Sequence, residues 1–305
     1  MGKVAFLFPG QGSQAVGMGR AAYEADERVR AVFAQADQQL GFALSRLCFE
    51  GPEGELHQTQ NAQPALLVVS YALWQLVADQ GVQPAFLAGH SLGEYTALLV
   101  AGALDFPTAL QLVRRRGELM RDASRLRPGT MVAILKLTAE EVETLCAEAT
   151  AWGTVCPANY NAPGQVVVSG EAVAVEQVAA WARERGGRVV PLRVSGAFHT
   201  PLMAPAAAGL EVELQRATWR DAQVPVVTNV DAEPTTAAAA LREKLARQLT
   251  NGVRWVESLQ RMAQEGVTTF VEIGPGSVLT GLVARTLPQA ERYSVSGPEA
   301  PWLRA

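Results

Sequence analysis

The sequence predicts an α/β protein in which a small subdomain is inserted into a larger one. Strand-like apolar runs alternate with helix-like segments along most of the 305 residues, which is typical of an α/β fold. Between residues 129 and 194 the order changes to βαββαβ, the split βαβ pattern of a ferredoxin-like unit. We therefore expect a small subdomain over residues 128–196 and a large subdomain over residues 1–127 and 197–305.

The first elements of the large subdomain follow from apolar runs and turn residues. Val4–Phe8 is apolar and ends in Pro9-Gly10, which predicts a buried strand followed by a turn. Pro107 suits the first turn of a helix, because the N–H that proline lacks would be unpaired there. The other predicted elements are helices at Ala21–Leu40, Pro64–Val77, Leu92–Ala103 and Pro107–Ala123, and a strand at Ala85–Ala88.

Capping and turn residues mark the elements of the small subdomain. Thr138 and Glu141 have the spacing of a capping box, which predicts a helix that runs to about Ala149. Gly186-Gly187 stops a second helix. The remaining predictions are strands at Met131–Leu137, Val155–Asn159, Gln165–Ser169 and Arg188–Val194, a helix at Glu171–Arg185, a turn at Asn161-Ala162-Pro163-Gly164, and junctions at Arg127-Pro128-Gly129 and Ser195-Gly196.

The last part of the chain returns to the large subdomain. Its turn Ile273-Gly274-Pro275-Gly276-Ser277 leads from a strand into a helix, and the tail after about Ser294 is expected to be loosely tethered. The predicted elements are helices at Pro201–Arg216, Ala237–Gln248 and Val253–Gln264, and strands at Val224–Thr228 and Thr268–Glu272.

Composition excludes several classes of protein. About 49% of the residues are apolar and the net charge is −4, which describes a soluble globular protein and excludes a disordered chain. No basic excess favours nucleic acid or an anionic membrane as a partner. We find no signal peptide and no apolar run of about 18 residues. Three scattered cysteines without a CxxC pair favour a reducing compartment, the cytoplasm, and no metal site.

The strongest local motif is Gly89-His90-Ser91-Leu92-Gly93. It fits G-x-S-x-G, the sharp strand-to-helix turn that exposes a nucleophilic serine. Ser91 would lie at the start of a helix, where backbone N–H groups favour an oxyanion. The alternative interpretation is an ordinary Gly-Ser turn.

A nucleophilic serine needs a base, and the chain has three histidines. His90 adjoins Ser91, so its side chain should point away from the nucleophile, and His57 lies in a polar loop. His199 follows the return from the small subdomain, at a plausible cleft edge. No Asp or Glu is a clear third member, since Asp105 and Asp122 have the pattern of surface positions.

Two further segments could contribute to a site. The loop Phe8–Gln14 lacks the spacing of a phosphate-binding loop, so Gln11 or a backbone N–H of this loop is better interpreted as an oxyanion donor. One arginine of Arg114-Arg115-Arg116 could hold a substrate carboxylate bidentately. The alternative for these arginines is a solvated helix face.

Together the motifs resemble those of the malonyl-CoA:acyl carrier protein transacylases, a family that includes the acyltransferase domains of polyketide synthases. The resemblance covers nearly the whole chain. It implies a hydrolase-like α/β large subdomain with a ferredoxin-like insertion. The matching segments, in order, are FPGQGSQ at the start, GHSLGEY (89–95), RGELM (116–120), NAPGQVVVSG (161–170), GAFHTPLM (196–203) and VEIGPGSVL (271–279).

The resemblance implies a role for each matching residue. Ser91 would carry the acyl group as an ester, with His199 as the general base and later the acid. Gln11 and the backbone N–H of Leu92 would form the oxyanion hole. Arg116 would pair with the free carboxylate of malonate. The reaction would be a ping-pong transfer from malonyl-CoA to an acyl carrier protein.

Other matching positions would support the site. The main-chain carbonyl of Gln248 would orient the histidine, which would explain the missing carboxylate. His90 and Asn161 would lie near the site. Phe198 and Leu92 resemble the pattern of enzymes that select malonyl over methylmalonyl groups.

The resemblance also implies partners. No cofactor is needed, because the CoA thioester is a substrate, and a standalone transacylase is expected to be a monomer. The family's carrier is acidic, so a local basic patch is expected. The candidate residues are Lys136, Arg115, Arg183, Arg185, Arg188 and Arg193. One departure is Gly252, where family members usually carry proline.

Two other functions compete with this interpretation. A serine esterase or thioesterase would share the G-x-S-x-G turn, but it would not need Arg116. An inactive carrier-binding subunit would not need the complete set of Ser91, His199 and Arg116. Fatty-acid and polyketide pathways are not distinguished by these motifs.

Overall fold

The chain combines strands and helices in a computed structural model that describes residues 2–194 and 196–304. The strands are β1 (Lys3–Phe8), β2 (Phe86–Gly89), β3 (Thr130–Leu135), β4 (Val155–Ala162), β5 (Gln165–Gly170), β6 (Arg188–Pro191), β7 (Val226–Val227), β8 (Pro234–Thr235), β9 (Val267–Ile273) and β10 (Glu291–Val295). The helices are α1 (Arg20–Ala25), α2 (Glu27–Leu40), α3 (Leu44–Glu50), α4 (Glu53–Leu56), α5 (Thr59–Ala78), α6 (Gly93–Val100), α7 (Phe106–Leu126), α8 (Ala139–Glu148), α9 (Ala172–Glu184), α10 (Ala204–Arg216), α11 (Ala238–Arg247), α12 (Trp255–Gln264) and α13 (Val278–Thr286). None of the helices within these ranges combines the length and the apolar character that crossing a membrane requires.

The larger sheet has the strand order β10-β9-β1-β2-β7-β8. Strand β1 pairs in parallel with β2 and β9, β10 pairs in parallel with β9, and β7 pairs in parallel with β2. Only the short β8 is antiparallel to its neighbour within the described part of this sheet. Because parallel strands end at the same edge, the loops that follow β1, β2 and β7 meet there.

Both faces of the larger sheet are covered by helices. Phe6 and Phe8 of β1 join the large core cluster that includes α2, α5, α6 and α7. Ala5 and Leu7 of the same strand join a second cluster with residues of α12 and α13 on the opposite face. A strand that is buried on both faces is continuously apolar, which explains the run Val4–Phe8.

The smaller sheet is antiparallel, with the strand order β4-β5-β3-β6. Val132 and Ile134 of β3 pack against α8 and α9 in a separate core cluster. Met131 and Ala133, which alternate with them, join the cluster of the larger part. The second face of the small sheet is therefore turned toward the larger part of the molecule.

Helix and turn signals in the sequence were reliable where the contacts are local. The capping box of Thr138 and Glu141 is confirmed, with both reciprocal hydrogen bonds present at the start of α8. Asp105 caps α7 by accepting a hydrogen bond from the Thr108 N–H, with a proline in the first turn. The β4–β5 turn is tighter than predicted, since Ala162 is still in β4 and only residues 163 and 164 separate the strands.

Several helix boundaries differ from the prediction. A single helix over Ala21–Leu40 is wrong, because Asp26 has an extended backbone and caps α2 with its side chain. The helix expected at Pro64 begins at Thr59, since burial of its first two turns offsets the hydrogen bond that Pro64 cannot make. The segment from Pro201 starts as a 3₁₀ turn, and α10 begins only at Ala204.

The expectation of a loosely tethered tail is wrong. Strand β10 extends to Val295, which is fully buried beside β9. Further along, the rings of Tyr293 and Trp302 lie 5.0 Å apart. The weak alternation of ERYSV gives little local signal for an edge strand. The junction residue Ser195 lies outside the described residues.

Candidate active site

A sharp turn joins β2 to α6 and presents Ser91. A Cβ atom at Gly89 would lie 1.9 Å from the carbonyl carbon of Gly93, and a Cβ atom at Gly93 would lie 2.0 Å from the main-chain oxygen of Phe8. Both positions therefore require glycine. Ser91 has a backbone φ of 51°, in the left-handed region that non-glycine residues rarely adopt. The turn projects the serine at the edge where the parallel strands end.

Ser91 meets two side chains from distant parts of the chain. Its Oγ lies 2.8 Å from Nε2 of His199, and Nη2 of Arg116 donates to the same Oγ at 3.1 Å. His199 lies between β6 and α10 and is 3% exposed. The structure thus brings together the three residues for which the sequence predicts the main chemical roles.

The imidazole of His199 is oriented by carbonyl oxygens. Its Nδ1 donates to the main-chain oxygens of Gln248 at 2.9 Å and Asn251 at 3.0 Å. A carbonyl only accepts, so the ring proton belongs on Nδ1 and Nε2 can accept from Ser91. Burial, together with the nearby Arg116 charge, lowers the pKa of His199 to about 3. The ring is therefore a neutral base at physiological pH.

Arg116 is a buried cation without a carboxylate partner. It is 1% exposed, and among the described residues no Asp or Glu oxygen lies within 4.0 Å of it. Its Nη1 donates to Gln63 Oε1 at 2.8 Å and its Nη2 to Gln248 Oε1 at 2.9 Å. The Tyr95 ring lies 5.6 Å from its Cζ. Neutral partners fix this guanidinium, and no carboxylate of the described residues binds it directly, which favours an anionic ligand.

Arg114 and Arg115, which precede Arg116 on α7, face elsewhere. Both form ion pairs with Glu118, at 2.8 Å and 3.4 Å. Consecutive helical residues point in different directions, so only Arg116 reaches Ser91.

The two predicted oxyanion donors lie beside the serine. Gln11 lines the same cavity as Ser91, and its Nε2 donates to Thr59 Oγ1 at 3.2 Å. Leu92 is fully buried immediately before α6. Across the described residues, its backbone N–H makes no hydrogen bond to the protein. A backbone N–H at a helix N-terminus can stabilise negative charge.

His90, Asn161 and Phe198 surround the approach to the serine. Nε2 of His90 lies 2.8 Å from Asn161 Oδ1, and its ring meets the edge of Trp255 at 5.3 Å. Burial lowers the pKa of His90. These contacts direct the His90 ring toward β4 rather than toward Ser91 Oγ, whereas Phe198 lines the cavity next to Ser91.

A cleft between the two sheets leads to Ser91. The inner cavity has a volume of about 90 Å³, and a second groove of about 260 Å³ shares Gln11, His90, Asn159 and Leu192 with it. The wall formed by the small sheet contributes Met131 and Val167. The site is therefore a narrow chamber at the end of an open groove.

Sequence reasoning missed several residues of the site. Asn229, which follows β7, accepts from the Ser91 N–H and donates to the Gly89 oxygen, both at 2.7 Å. Gln63 and Asn251 hold Arg116 and His199, respectively. Glu94 is buried next to Gln248. Glu94 stands in the motif GHSLGEY, but no local pattern marks the other three.

Comparison with known proteins agrees with this geometry. A family model described as "Acyl transferase domain" matches residues 5–298. The malonyl CoA-acyl carrier protein transacylase of Bacillus subtilis (strain 168) is 48% identical over 98% of this chain and 95% of the relative. An acyl carrier protein S-malonyltransferase from Vibrio cholerae has a TM-score of 0.94 at 43% identity, with 97% of both chains covered.

A further solved structure contains a type II PKS acyl-carrier protein in complex with its malonyl-transacylase. The matched chain has a TM-score of 0.95 at 42% identity and covers 99% of this chain and 98% of its own. The family model and these similarities span nearly the whole sequence, and the protein therefore belongs to the acyl transferase domain family.

Proposed function

We propose that this enzyme transfers a malonyl group from malonyl-CoA to the phosphopantetheine thiol of an acyl carrier protein, through a malonyl-Ser91 ester. The observation that carries this proposal is the position of Arg116. A buried guanidinium without a carboxylate partner, 3.1 Å from the Ser91 oxygen, favours an acyl group that carries its own carboxylate.

The transfer consists of two similar steps. Neutral His199 takes the proton of Ser91 as Oγ bonds to the thioester carbon, and the tetrahedral intermediate then releases CoA as the C–S bond breaks. The proton on Nε2 passes to the departing sulfur. The carrier thiol reverses the sequence, giving its proton to His199 and taking the malonyl group from Ser91. Gln11 and the Leu92 N–H stabilise the oxyanion in both steps.

Several residues contribute to the choice of acyl group. Arg116 binds the malonyl carboxylate and disfavours acetyl, because its charge would remain buried and unpaired. Phe198 and Leu92 restrict the space beside Ser91 and disfavour the added methyl group of methylmalonyl. His90 and Asn161 line the approach of the thioester.

The organisation of the chain fits this reaction. We assign residues 1–127 and 197–305 to a hydrolase-like large subdomain and residues 128–196 to a ferredoxin-like small subdomain, with the cleft between them as the path of the pantetheine arm. The enzyme acts as a monomer. It needs no cofactor, because CoA is part of the substrate. The names of the similar proteins support a carrier protein as acceptor.

A serine hydrolase is the competing function. Such an enzyme must bring water to the acyl-serine, and most carry a carboxylate behind the histidine. In this chain the histidine is held by two carbonyl oxygens, and the acyl pocket carries a cation. Both features favour transfer of a charged acyl group over hydrolysis.

The deciding experiment is the intact mass of the protein after brief mixing with malonyl-CoA. The parent should gain one malonyl group and Ser91→Ala none, whereas Ser13→Ala, which removes a hydroxyl from the same groove, should load normally. Arg116→Ala should lose malonyl loading and gain acetyl loading relative to the parent. Release of CoA with no adduct would identify a thioesterase, and neither adduct nor release would contradict malonyl-CoA as substrate.

A further inference from the structure

Glu94 is a buried carboxyl group that the transfer reaction does not use. It lies in the first turn of α6 and is 1% exposed. Within the described residues it forms no ion pair at 4.0 Å or less. Burial raises its pKa to about 7, although hydrogen bonds from Gln248 and the Asn229 backbone oppose the shift. Burying a carboxyl group is unfavourable, so its presence beside the site indicates a specific role.

The carboxyl group contacts the side chain of Gln248. Nε2 of Gln248 donates to Glu94 Oε2 at 2.7 Å and to the main-chain oxygen of Ser91 at 2.9 Å. The Asn229 N–H also donates to Glu94 Oε2, at 3.1 Å. Glu94 Oε2 and the Ser91 oxygen therefore hold the NH₂ end of the Gln248 amide on the side away from Arg116.

The opposite end of the same amide faces the proposed acyl-binding cation. Gln248 Oε1 accepts from Arg116 Nη2 at 2.9 Å. If the amide turned over, its NH₂ group would face the guanidinium, and two donors would oppose each other. The guanidinium would then have to move from Ser91. The orientation of one amide thus determines the orientation of Arg116.

We propose that Glu94 is a positioning residue that sets the preference for a dicarboxylic acyl group, by fixing the amide of Gln248 and through it Arg116. The role depends on the acceptor oxygen of Glu94 rather than on its charge. The Gln248 main-chain carbonyl that orients His199 is held separately by the backbone. Loss of Glu94 should therefore affect malonyl more than acetyl. This inference rests on the proposed function.

The test compares acyl-serine formation from malonyl-CoA and from acetyl-CoA in single-turnover experiments. Glu94→Met removes the acceptor at similar length, and Glu94→Asp withdraws it by one methylene while it retains the carboxylate. Both should lower the malonyl-to-acetyl ratio by about tenfold or more, because small displacements of a positioning group have effects of that size. Glu94→Gln retains an acceptor oxygen and should stay close to the parent ratio.

Control variants separate this role from simple structural damage. Glu272 is also buried, and it accepts from the backbone at the start of α13, so Glu272→Gln should leave the ratio unchanged. Thermal unfolding reports whether each variant folds. If Glu94→Met does not fold, the comparison of Glu94→Asp with Glu94→Gln is enough to test the proposal.

Three results would overturn the proposal. They are an unchanged ratio in Glu94→Asp and Glu94→Met, a parallel fall with both acyl groups, and a fall in Glu94→Gln equal to that in Glu94→Met. Failure of the parent to load malonyl would instead contradict the proposed function itself.

Discussion

Ser91 Oγ lies 2.8 Å from Nε2 of His199, although the two residues are 108 positions apart. Their backbone φ angles are 51° and 61°, both in the left-handed region. Such conformations cost of order 1–3 kcal/mol each and persist only where the surroundings enforce them. The side chain of Asn229 stabilises the turn at Ser91, because it accepts from the Ser91 N–H and donates to the Gly89 oxygen. The hydroxyl of Thr200, which follows His199, donates to the Ala197 oxygen. The fold therefore holds the hydrogen-bonded pair ready for reaction.

The first prediction concerns the pH dependence of acyl-serine formation. His199 has a pKa lowered to about 3 by burial and by Arg116, so the base stays unprotonated well below pH 6.5. The rate of loading from malonyl-CoA should show no acid limb near pH 6.5. Rapid-quench measurements between pH 5 and 8 test this, with Glu94→Gln as a control for the other titrating group. A limb near pH 6.5 in both proteins would contradict a neutral buried base.

The second prediction concerns stability. Burial raises the pKa of Glu94 from 4.5 to about 7, so above pH 4.5 the unfolded chain loses this proton first. Folding stability that is present below pH 4.5 is therefore lost as pH rises to 7. The loss amounts to about 3 kcal/mol.

Glu94→Gln removes this titration. Its free energy of unfolding in urea should rise relative to the parent between pH 4.5 and 7.5, by the same amount. Glu24→Gln, at an exposed position, should follow the parent. If the difference between parent and Glu94→Gln is the same at every pH, Glu94 does not titrate in this range.

The third prediction concerns Gly252. The preceding Asn251 has φ −124° and ψ 152°, the conformation that precedes proline most easily. Among the described residues the Gly252 N–H makes no hydrogen bond. Gly252→Pro should therefore stabilise the fold by about 0.5 kcal/mol through the unfolded state, with malonyl loading unchanged.

Thermal unfolding of Gly252→Pro beside Gly252→Ala measures the effect, since alanine adds the same Cβ without the ring. That Cβ would lie 3.1 Å from the Pro157 oxygen. A lower melting temperature in both variants would contradict the prediction and show that the Pro157 carbonyl cannot move away from the added Cβ.

The fourth prediction concerns the carrier surface. Of the predicted basic patch, Arg115 and Arg185 are engaged by Glu118 and Glu148. Arg188 and Lys136 have no acidic partner among the described residues. Arg188 of β6 pairs with Leu135, the last residue of β3, and Lys136 follows Leu135, so the two cations lie close together. Arg188→Glu should raise the KM for an acidic carrier several-fold.

The same change should alter the KM for malonyl-CoA less, and added salt should weaken carrier use in the parent more than in the variant. Arg242→Glu, an equal charge change on α11, is the control. Equal effects of the two variants, or equal salt dependence for both substrates, would contradict a specific docking patch.

Much of the architecture could be predicted from local patterns. The alternation of elements, the βαββαβ segment and the glycines around Ser91 each reflect constraints within a few residues. The helix break at Asp26 was missed because a single capping side chain outweighed a continuous helical pattern. The buried tail was missed because an edge strand takes its stability from pairing with β9 rather than from its own residues.

The sequence alone determined that this is an α/β protein with a serine turn, and its motifs singled out Ser91, His199 and Arg116. Only the tertiary structure decided what surrounds them: Gln63 and Gln248 on the guanidinium, Asn251 on the imidazole, and Asn229 and Glu94 behind the serine turn. The physical reason is distance along the chain. These hydrogen bonds join residues 52 to 154 positions apart and leave no local periodicity. They form only when the fold brings these segments to the edge where the parallel strands end.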